Sequence, residues 1–314
     1  MLLYDLITIG RSGVDVYPLQ TGVGLADVET FGKFLGGSPT NVAVASARHG
    51  LRSAVITGVG ADPFGDYVRR AIRGFGVDDA FVHTIEGRPT PVTFCEIFPP
   101  DHFPIYFYRG EHPPDLQIAP DLLDLAAIRE APLFWFSLTG LSQEPSAAAH
   151  AAALQVRGSG WTVFDLDYRP TLWESREAAH EAARRMLPLA DVAVGNLEEV
   201  EVAVGVRDPE AAAQALLDTG VRLAIVKMGP EGVFARTSEE SALVEPMEVK
   251  VINGIGAGDA FGGGICLGLR RGWPLERTLR FANAAGAFVA ARLACADAMP
   301  TTSEVDDLLN GTRS

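Results

Sequence analysis

Short runs of continuously apolar residues alternate with Ala-rich stretches of helical period along most of the chain. The apolar runs fall at 3–9, 53–57, 133–137, 162–165, 192–194 and 223–227, and the helical stretches at 41–49, 64–75, 146–156, 176–187 and 209–217. Strands that are apolar throughout and separated by helices have both faces covered. That pattern predicts an α/β fold, doubly wound, with a mainly parallel sheet flanked by helices.

Segments 11–35 and 88–112 break the rhythm. They carry aromatic residues in extended patterns with no helix between them. Residues 93–98 alternate in polarity, and 105–109 follow after a Pro-Pro-Asp turn, which predicts a hairpin. Ligands of open α/β sheets sit at the carboxyl ends of the strands, so a small sheet built from these segments is expected to act as a lid. With no repeat or linker in the sequence, the expectation is one domain over 1–314, with the lid inside it.

Composition narrows the partners. Lys and Arg total 26 against 40 Asp and Glu, a formal net charge of −14. Such a surface repels phosphate backbones and anionic lipid, which argues against nucleic acid and membrane as partners. Cys95, Cys266 and Cys295 are too far apart for a CxxC pair or a disulfide framework. With no apolar run of about 18 residues, the chain reads as soluble and cytoplasmic.

The strongest chemical signal is Asn253-Gly-Ile-Gly-Ala-Gly-Asp259-Ala-Phe261, after a strand-like run at 249–252 and before a small-residue helix reaching about Leu269. A glycine-rich turn at a helix start presents free amides along the helix dipole and binds anions. The run is neither a Walker A loop nor GxGxxG. An anion-binding turn beside a carboxylate can move a phosphoryl group onto a hydroxyl: the amides stabilise the γ-phosphoryl charge and the carboxylate accepts the proton. Helix capping is the plainer reading of Asp259 by itself.

Gly256-Ala-Gly-Asp259 resembles the second signature of the ribokinase-like, PfkB-type carbohydrate kinases, and Gly36-Gly37-Ser-Pro-Thr-Asn41 with Gly58-Val-Gly60 resembles the first. Gly10…Asp15, Asn196-Leu-Glu-Glu199, Lys227-Met-Gly229-Pro-Glu-Gly232 and Asn283 follow in family order, so the resemblance covers nearly the whole chain. It implies a ribokinase-like fold and an ATP- and Mg²⁺-dependent kinase. Asp259 would be the base and the amides of Gly256, Ala257 and Gly258 the anion hole. Asp15, Gly37 and Asn41 would hold sugar hydroxyls, and Asn196 with Glu199 would place Mg²⁺, largely through water. Lys227, Gly229, Gly232 and Asn283 would face the nucleotide. The plainer readings are a capping role for Glu199 and a solvated strand end for Lys227. Many relatives have Asp-Thr where this chain has Asn253-Gly254, so activation by a monovalent cation is left open.

The substrate is argued from arginines. Phe107-Tyr108-Arg109 in the lid and Asp165-Leu-Asp167-Tyr168-Arg169 after a core strand each set an Arg beside an aromatic residue, and Arg forks a carboxylate; the plainer reading of each is a surface or ion-paired arginine. The second string resembles the Asp-x-Asn-x-Arg of sugar-acid kinases. Further strings, among them Ile9-Gly-Arg-Ser-Gly-Val-Asp15, resemble the branch acting on 5-dehydro-2-deoxygluconate in myo-inositol catabolism. The alternatives are 2-dehydro-3-deoxygluconate and fructose as acceptors, a sugar-binding protein without catalysis, and, more distantly, a nicotinamide oxidoreductase. A homodimer could form through the lid's strand edges.

Overall fold

The computed structural model describes residues 3–311. The chain opens with β1 (Leu6–Ile9), β2 (Gly13–Pro18) and β3 (Phe31–Gly36), then α1 (Ser38–Arg48), β4 (Ser53–Gly60), α2 (Pro63–Gly74) and β5 (Val82–Ile85). The hairpin strands β6 (Val92–Cys95) and β7 (Ile105–Tyr108) follow. Next come α3 (Leu125–Glu130), β8 (Leu133–Ser137), α4 (Ser146–Gln155), β9 (Trp161–Asp165), α5 (Arg176–Met186) and β10 (Val192–Asn196). After α6 (Leu197–Val204) and α7 (Pro209–Asp218) the sheet continues with β11 (Leu223–Lys227), β12 (Val233–Arg236) and β13 (Ser241–Val244). Helices α8 (Ala257–Arg271), α9 (Leu275–Ala290) and α10 (Thr302–Leu309) complete it.

Among the described residues, nine strands form one sheet in the order β13-β12-β11-β10-β9-β8-β1-β4-β5. The pairs from β11 to β5 are parallel, and β12 and β13 are antiparallel additions. Alternate residues feed opposite faces, as a pleated strand requires. Leu6 and Trp135 join the core beneath α1, α8 and α9, while Ile7, Phe134 and Phe136 join the other, where Phe136 stacks on Phe164 with centroids 4.4 Å apart. Burial on both faces is why these strands read as unbroken apolar runs. The glycines of α8 let helices close up: a Cβ on Gly263 would collide with Ala45 of α1, and one on Gly264 with Ala282 of α9.

The segments at 11–35 and 88–112 supply a four-stranded sheet in the order β3-β2-β6-β7. The expected hairpin is present, with Thr93 opposite Phe107 and Cys95 opposite Ile105. Tyr17, Cys95 and Ile97 turn inward against Cys295 and Phe103, while Tyr108 stands 67% exposed on the outside. One expectation is corrected. Residues 249–252 form no strand, because the large sheet ends at β13. The amides of Ile252 and Asn253 instead donate to the Ala290 carbonyl at the end of α9, at 2.8 and 3.1 Å.

Candidate active site

The chain leaves β1 for β4 and β5 on one side and returns to β8 on the other, so the strand order reverses at β1. Crevices at the carboxyl ends near such a reversal are where open α/β folds bind ligands. A cavity of about 490 Å³ lies there, roofed by the small sheet and lined by 27 residues, a size suited to a small metabolite and part of a nucleotide.

Asp259 sits in the first turn of α8 without capping it, for the helix has no side-chain cap. Its Oδ2 accepts from Asn41 Nδ2 at 2.8 Å. Burial raises its pKa above the usual carboxylate value, opposed by the Asn41 hydrogen bond. The N-cap Gly256 has φ 88°, a left-handed conformation natural to glycine, and a Cβ there would stand 2.5 Å from Cys295 Sγ. Gly256 and Gly258 of this turn line the cavity, whereas the Ala257 amide donates back to the Gly254 carbonyl at 3.4 Å.

On the opposite wall, Asp15 on β2 is buried and accepts from Tyr17 Oη at 2.7 Å. Burial raises its pKa to about 6. Gly37 has φ 100° and presses on the Arg11 carbonyl so closely that a Cβ would overlap it, which explains the glycine before α1. Asp15, Gly37 and Asn41 all line the cavity.

Arg109 lines the cavity and bonds Asp115 Oδ1 at 2.8 Å, with both side chains buried. Arg169 bonds Asp167 Oδ1 at 2.8 Å. A third guanidinium, that of Arg11, completes the set by pairing with Asp167 Oδ2, donating to Thr139 Oγ1 at 3.1 Å and lying over the Phe107 ring. Burial alone would raise the pKa of Asp167, yet Arg169 and Arg11 hold it well below the usual range. Sequence reasoning passed over Arg11, Asp165 and Asp167 as site residues. The signal was available: Arg11 directly follows Gly10 at the carboxyl end of the first strand, and both aspartates stand in the string read only for its arginine.

At the end expected to face the nucleotide, Asn196 and Glu199 form a capping box on α6. Asn196 Oδ1 accepts from the Glu198 and Glu199 amides, and Glu199 Oε2 accepts from the Asn196 amide at 2.7 Å. The plainer reading of Glu199 thus holds as geometry, though it also lines the cavity. Lys227 is not a solvated strand end. Its Nζ lies 3.8 Å from Glu199 Oε2 and close beside Gly258. Burial disfavours its charge, but Glu199, Asp165 and neighbouring carboxylates hold its pKa above the usual value. Gly229 lines the cavity, whereas Ala257, Gly232 and Asn283 do not. Gly232, at φ 92°, fits against the Val244 carbonyl, and Asn283 ties α9 to the Glu245 carbonyl at 2.7 Å.

A roofed cavity at the sheet's switch point, with a carboxylate between a glycine-rich turn and a polar wall, is the arrangement expected of a sugar kinase of the ribokinase-like fold. Comparison with known proteins agrees. Residues 4–302 match the pfkB family carbohydrate kinase model, and the chain belongs to that family. It is 32% identical to the 5-dehydro-2-deoxygluconokinase of Shouchella clausii over 98% of this chain and 95% of the relative. Identity to the enzyme of that description from Listeria monocytogenes is also 32%, over 98% and 96%. Among solved structures, Xylella fastidiosa fructokinase with bound ATP superposes with a TM-score of 0.86 at 26% identity, covering 98% of this chain and 99% of that one. Salmonella enterica aminoimidazole riboside kinase, complexed with its riboside and an ATP analogue, gives 0.79 at 25%, covering 97% and 99%. Among the described residues no helix is long and apolar enough to cross a membrane.

Proposed function

We propose that the chain transfers the γ-phosphoryl group of ATP to a primary hydroxyl of a keto-deoxy sugar acid, 5-dehydro-2-deoxygluconate in particular. The observation that carries this reading is the position of Asp259, between a glycine-rich turn and a wall bearing Arg11, Arg109 and Arg169. The relatives' name and the ATP bound to the fructokinase neighbour support it.

Asp15, Gly37 and Asn41 hold the sugar hydroxyls, and Arg169, Arg109 and Arg11 face its carboxylate. Asp259 accepts the proton of the attacking hydroxyl, whose oxygen bonds to the γ-phosphorus as the bond to the β–γ bridging oxygen breaks and ADP departs. The amides of Gly256 and Gly258 meet the charge that develops on the phosphoryl oxygens, and that of Ala257 joins them on leaving the Gly254 carbonyl. Asn41 keeps the Asp259 carboxylate aimed. Asn196, Lys227 and Gly229 serve the nucleotide side, with Lys227 beside Gly258, while Gly232 and Asn283 act from behind it by holding the Val244 and Glu245 carbonyls.

Mg²⁺, when bound, neutralises phosphate charge. It binds through one or two carboxylates, water and the phosphates themselves. Glu199 fits that demand, because its hydrogen bond and its contact with Lys227 both fall on Oε2, leaving Oε1 to a hydrated ion. A monovalent cation fits less well. Asn253 is fully buried, its Nδ2 donates to the Leu293 carbonyl at 2.7 Å and its Oδ1 accepts from the Ile255 amide at 3.0 Å. A neutral side chain therefore braces the turn, and exchanging K⁺ for Na⁺ is expected to leave turnover unchanged.

The small sheet closes over the sugar as a lid within a single domain, and its exposed Phe31, Tyr106 and Tyr108 suit a homodimer. Three buried free thiols are consistent with a reducing cytoplasm. The deciding experiment is ADP release with 5-dehydro-2-deoxygluconate, 2-dehydro-3-deoxygluconate, fructose and ribose at matched concentrations. The highest kcat/KM is expected for the first. A preference for fructose would overturn the acid assignment, and no turnover with any would favour a binding protein.

A further inference from the structure

A chain of buried contacts runs from the sugar wall to the anion hole. Tyr17 Oη donates to Asp15 Oδ2 at 2.7 Å and lies 2.8 Å from Cys295 Sγ, and Cys295 Sγ lies within donating distance of the Ile255 carbonyl at 3.1 Å. Tyr17 and Cys295 are 1% and 0% exposed. The Ile255 carbonyl shares its peptide plane with the Gly256 N–H, one of the anion-hole amides. A planar peptide cannot turn its carbonyl without turning that N–H. Gly256 also rests on the Cys295 sulfur, where a Cβ would collide. The thiol thus touches the catalytic turn twice, once by hydrogen bond and once by packing.

Hydrogen counting gives the chain a direction. With Asp15 as a carboxylate, three contacts share two hydrogens, the Tyr17 hydroxyl's and the Cys295 thiol's. The hydroxyl hydrogen goes to the carboxylate, the strongest acceptor present. The single thiol hydrogen must then serve either Tyr17 Oη or the Ile255 carbonyl. How firmly Asp15 holds the tyrosine hydroxyl decides which, since linked hydrogen bonds polarise one another.

We propose that Tyr17 and Cys295 are positioning residues that couple occupancy of the sugar subsite to the orientation of the Ile255–Gly256 peptide in the anion hole. The inference rests on the reading of Asp15 as a sugar ligand and of Gly256 as an anion-hole donor. A sugar hydroxyl donated to Asp15 competes with Tyr17 for that carboxylate and weakens its pull on the tyrosine. The thiol hydrogen then redistributes between Tyr17 and the turn. Phosphate-binding geometry thereby responds to the acceptor, which favours transfer to sugar over transfer to water.

The test is steady-state kinetics, with both substrates varied, on Tyr17→Phe, Cys295→Ala, their double variant and Cys295→Ser. Each of the first two is expected to lower kcat roughly tenfold, the effect of losing one buried hydrogen bond, with the KM for ATP unchanged. The double variant is expected to be no worse than the poorer single one, because contacts in series are lost together. Serine keeps one hydrogen and one acceptor, so Cys295→Ser should recover most of the turnover. A Cys295→Ala enzyme with the wild-type kcat, or single effects that multiply in the double variant, would overturn the coupling. Should Tyr17→Phe fail to fold, the Ala and Ser pair at 295 decides alone. Asp15→Asn and Asp259→Asn separate the two levels. If both stay active, the site reading fails. If both are impaired while Cys295→Ala is unaffected, only the coupling fails.

Discussion

Under the proposed function, the two ends of the cavity would meet anions by opposite means. At the phosphate end the structure offers backbone amides at a glycine turn, a helix start and one lysine, Lys227, held by carboxylates. At the sugar end it offers guanidiniums already tied to aspartates: Arg109 to Asp115, and Arg11 and Arg169 to Asp167. Amides suit a charge that appears only during transfer, because they are fixed in place and bring no net charge. Ion-paired arginines suit a charge that is permanent, because their partners keep them oriented and stabilised in a buried wall until the ligand arrives. If the substrate is an acid, a chain of net charge −14 would in this way bind two anions without a broadly positive surface.

The comparison can be broken first where the ends meet. Asp259→Asn should lower kcat by about 10²–10⁴-fold, the range for a positioned base, with little change in either KM. Turnover near wild type would move the proton transfer elsewhere. At the phosphate end alone, Gly256→Ala should lower kcat by about 10²-fold, since it strains a left-handed residue and displaces an anion-hole donor. That loss should appear with every acceptor sugar.

At the sugar end, Arg169→Ala should raise the KM for the acid roughly tenfold, as expected for a lost charged hydrogen bond. The KM values for ATP and for a neutral sugar should stay put, and an equal rise for fructose would contradict the carboxylate role. The smallest effect is a pH dependence of stability. Asp15 titrates at about 6 in the fold because burial raises it above the unfolded value of 3.8. The folded state therefore holds this proton more tightly. The stabilisation is complete below the unfolded value and is lost as pH rises through about 6. Asp15→Asn should accordingly raise Tm by a few degrees at pH 7 and by much less at pH 4, read by thermal melts, while weakening sugar binding. A wild type more stable than the variant at pH 7 would mean that Asp15 carries no such strain.

Much of the architecture was legible because it rests on short-range rules. Strands such as β8 and β9 are buried on both faces and so announce themselves as apolar runs, and the helices between them follow by period. The hairpin of β6 and β7 was readable from its alternation and its turn. The run at 249–252 misled because strand-like composition says nothing about whether a partner edge exists. Lys227 misled for a related reason: a strand end looks solvated until the starts of α6 and α8 bring Glu199 and Gly258 beside it. The capping box of Asn196 and Glu199 shows a third case, where one carboxylate serves a local structural role while lining the site.

The sequence by itself determined the α/β class, the glycine turns and the carboxylate at Asp259, because backbone conformation and hydrophobic period are written in neighbouring residues. Tertiary structure alone decided that Arg11 pairs with Asp167 across 156 positions and that Asn41 reaches Asp259 across 218. It also brought Tyr17 to Cys295, 278 positions away. Local rules cannot register such meetings, because only the folded sheet brings distant strand ends and helix starts into hydrogen-bonding range.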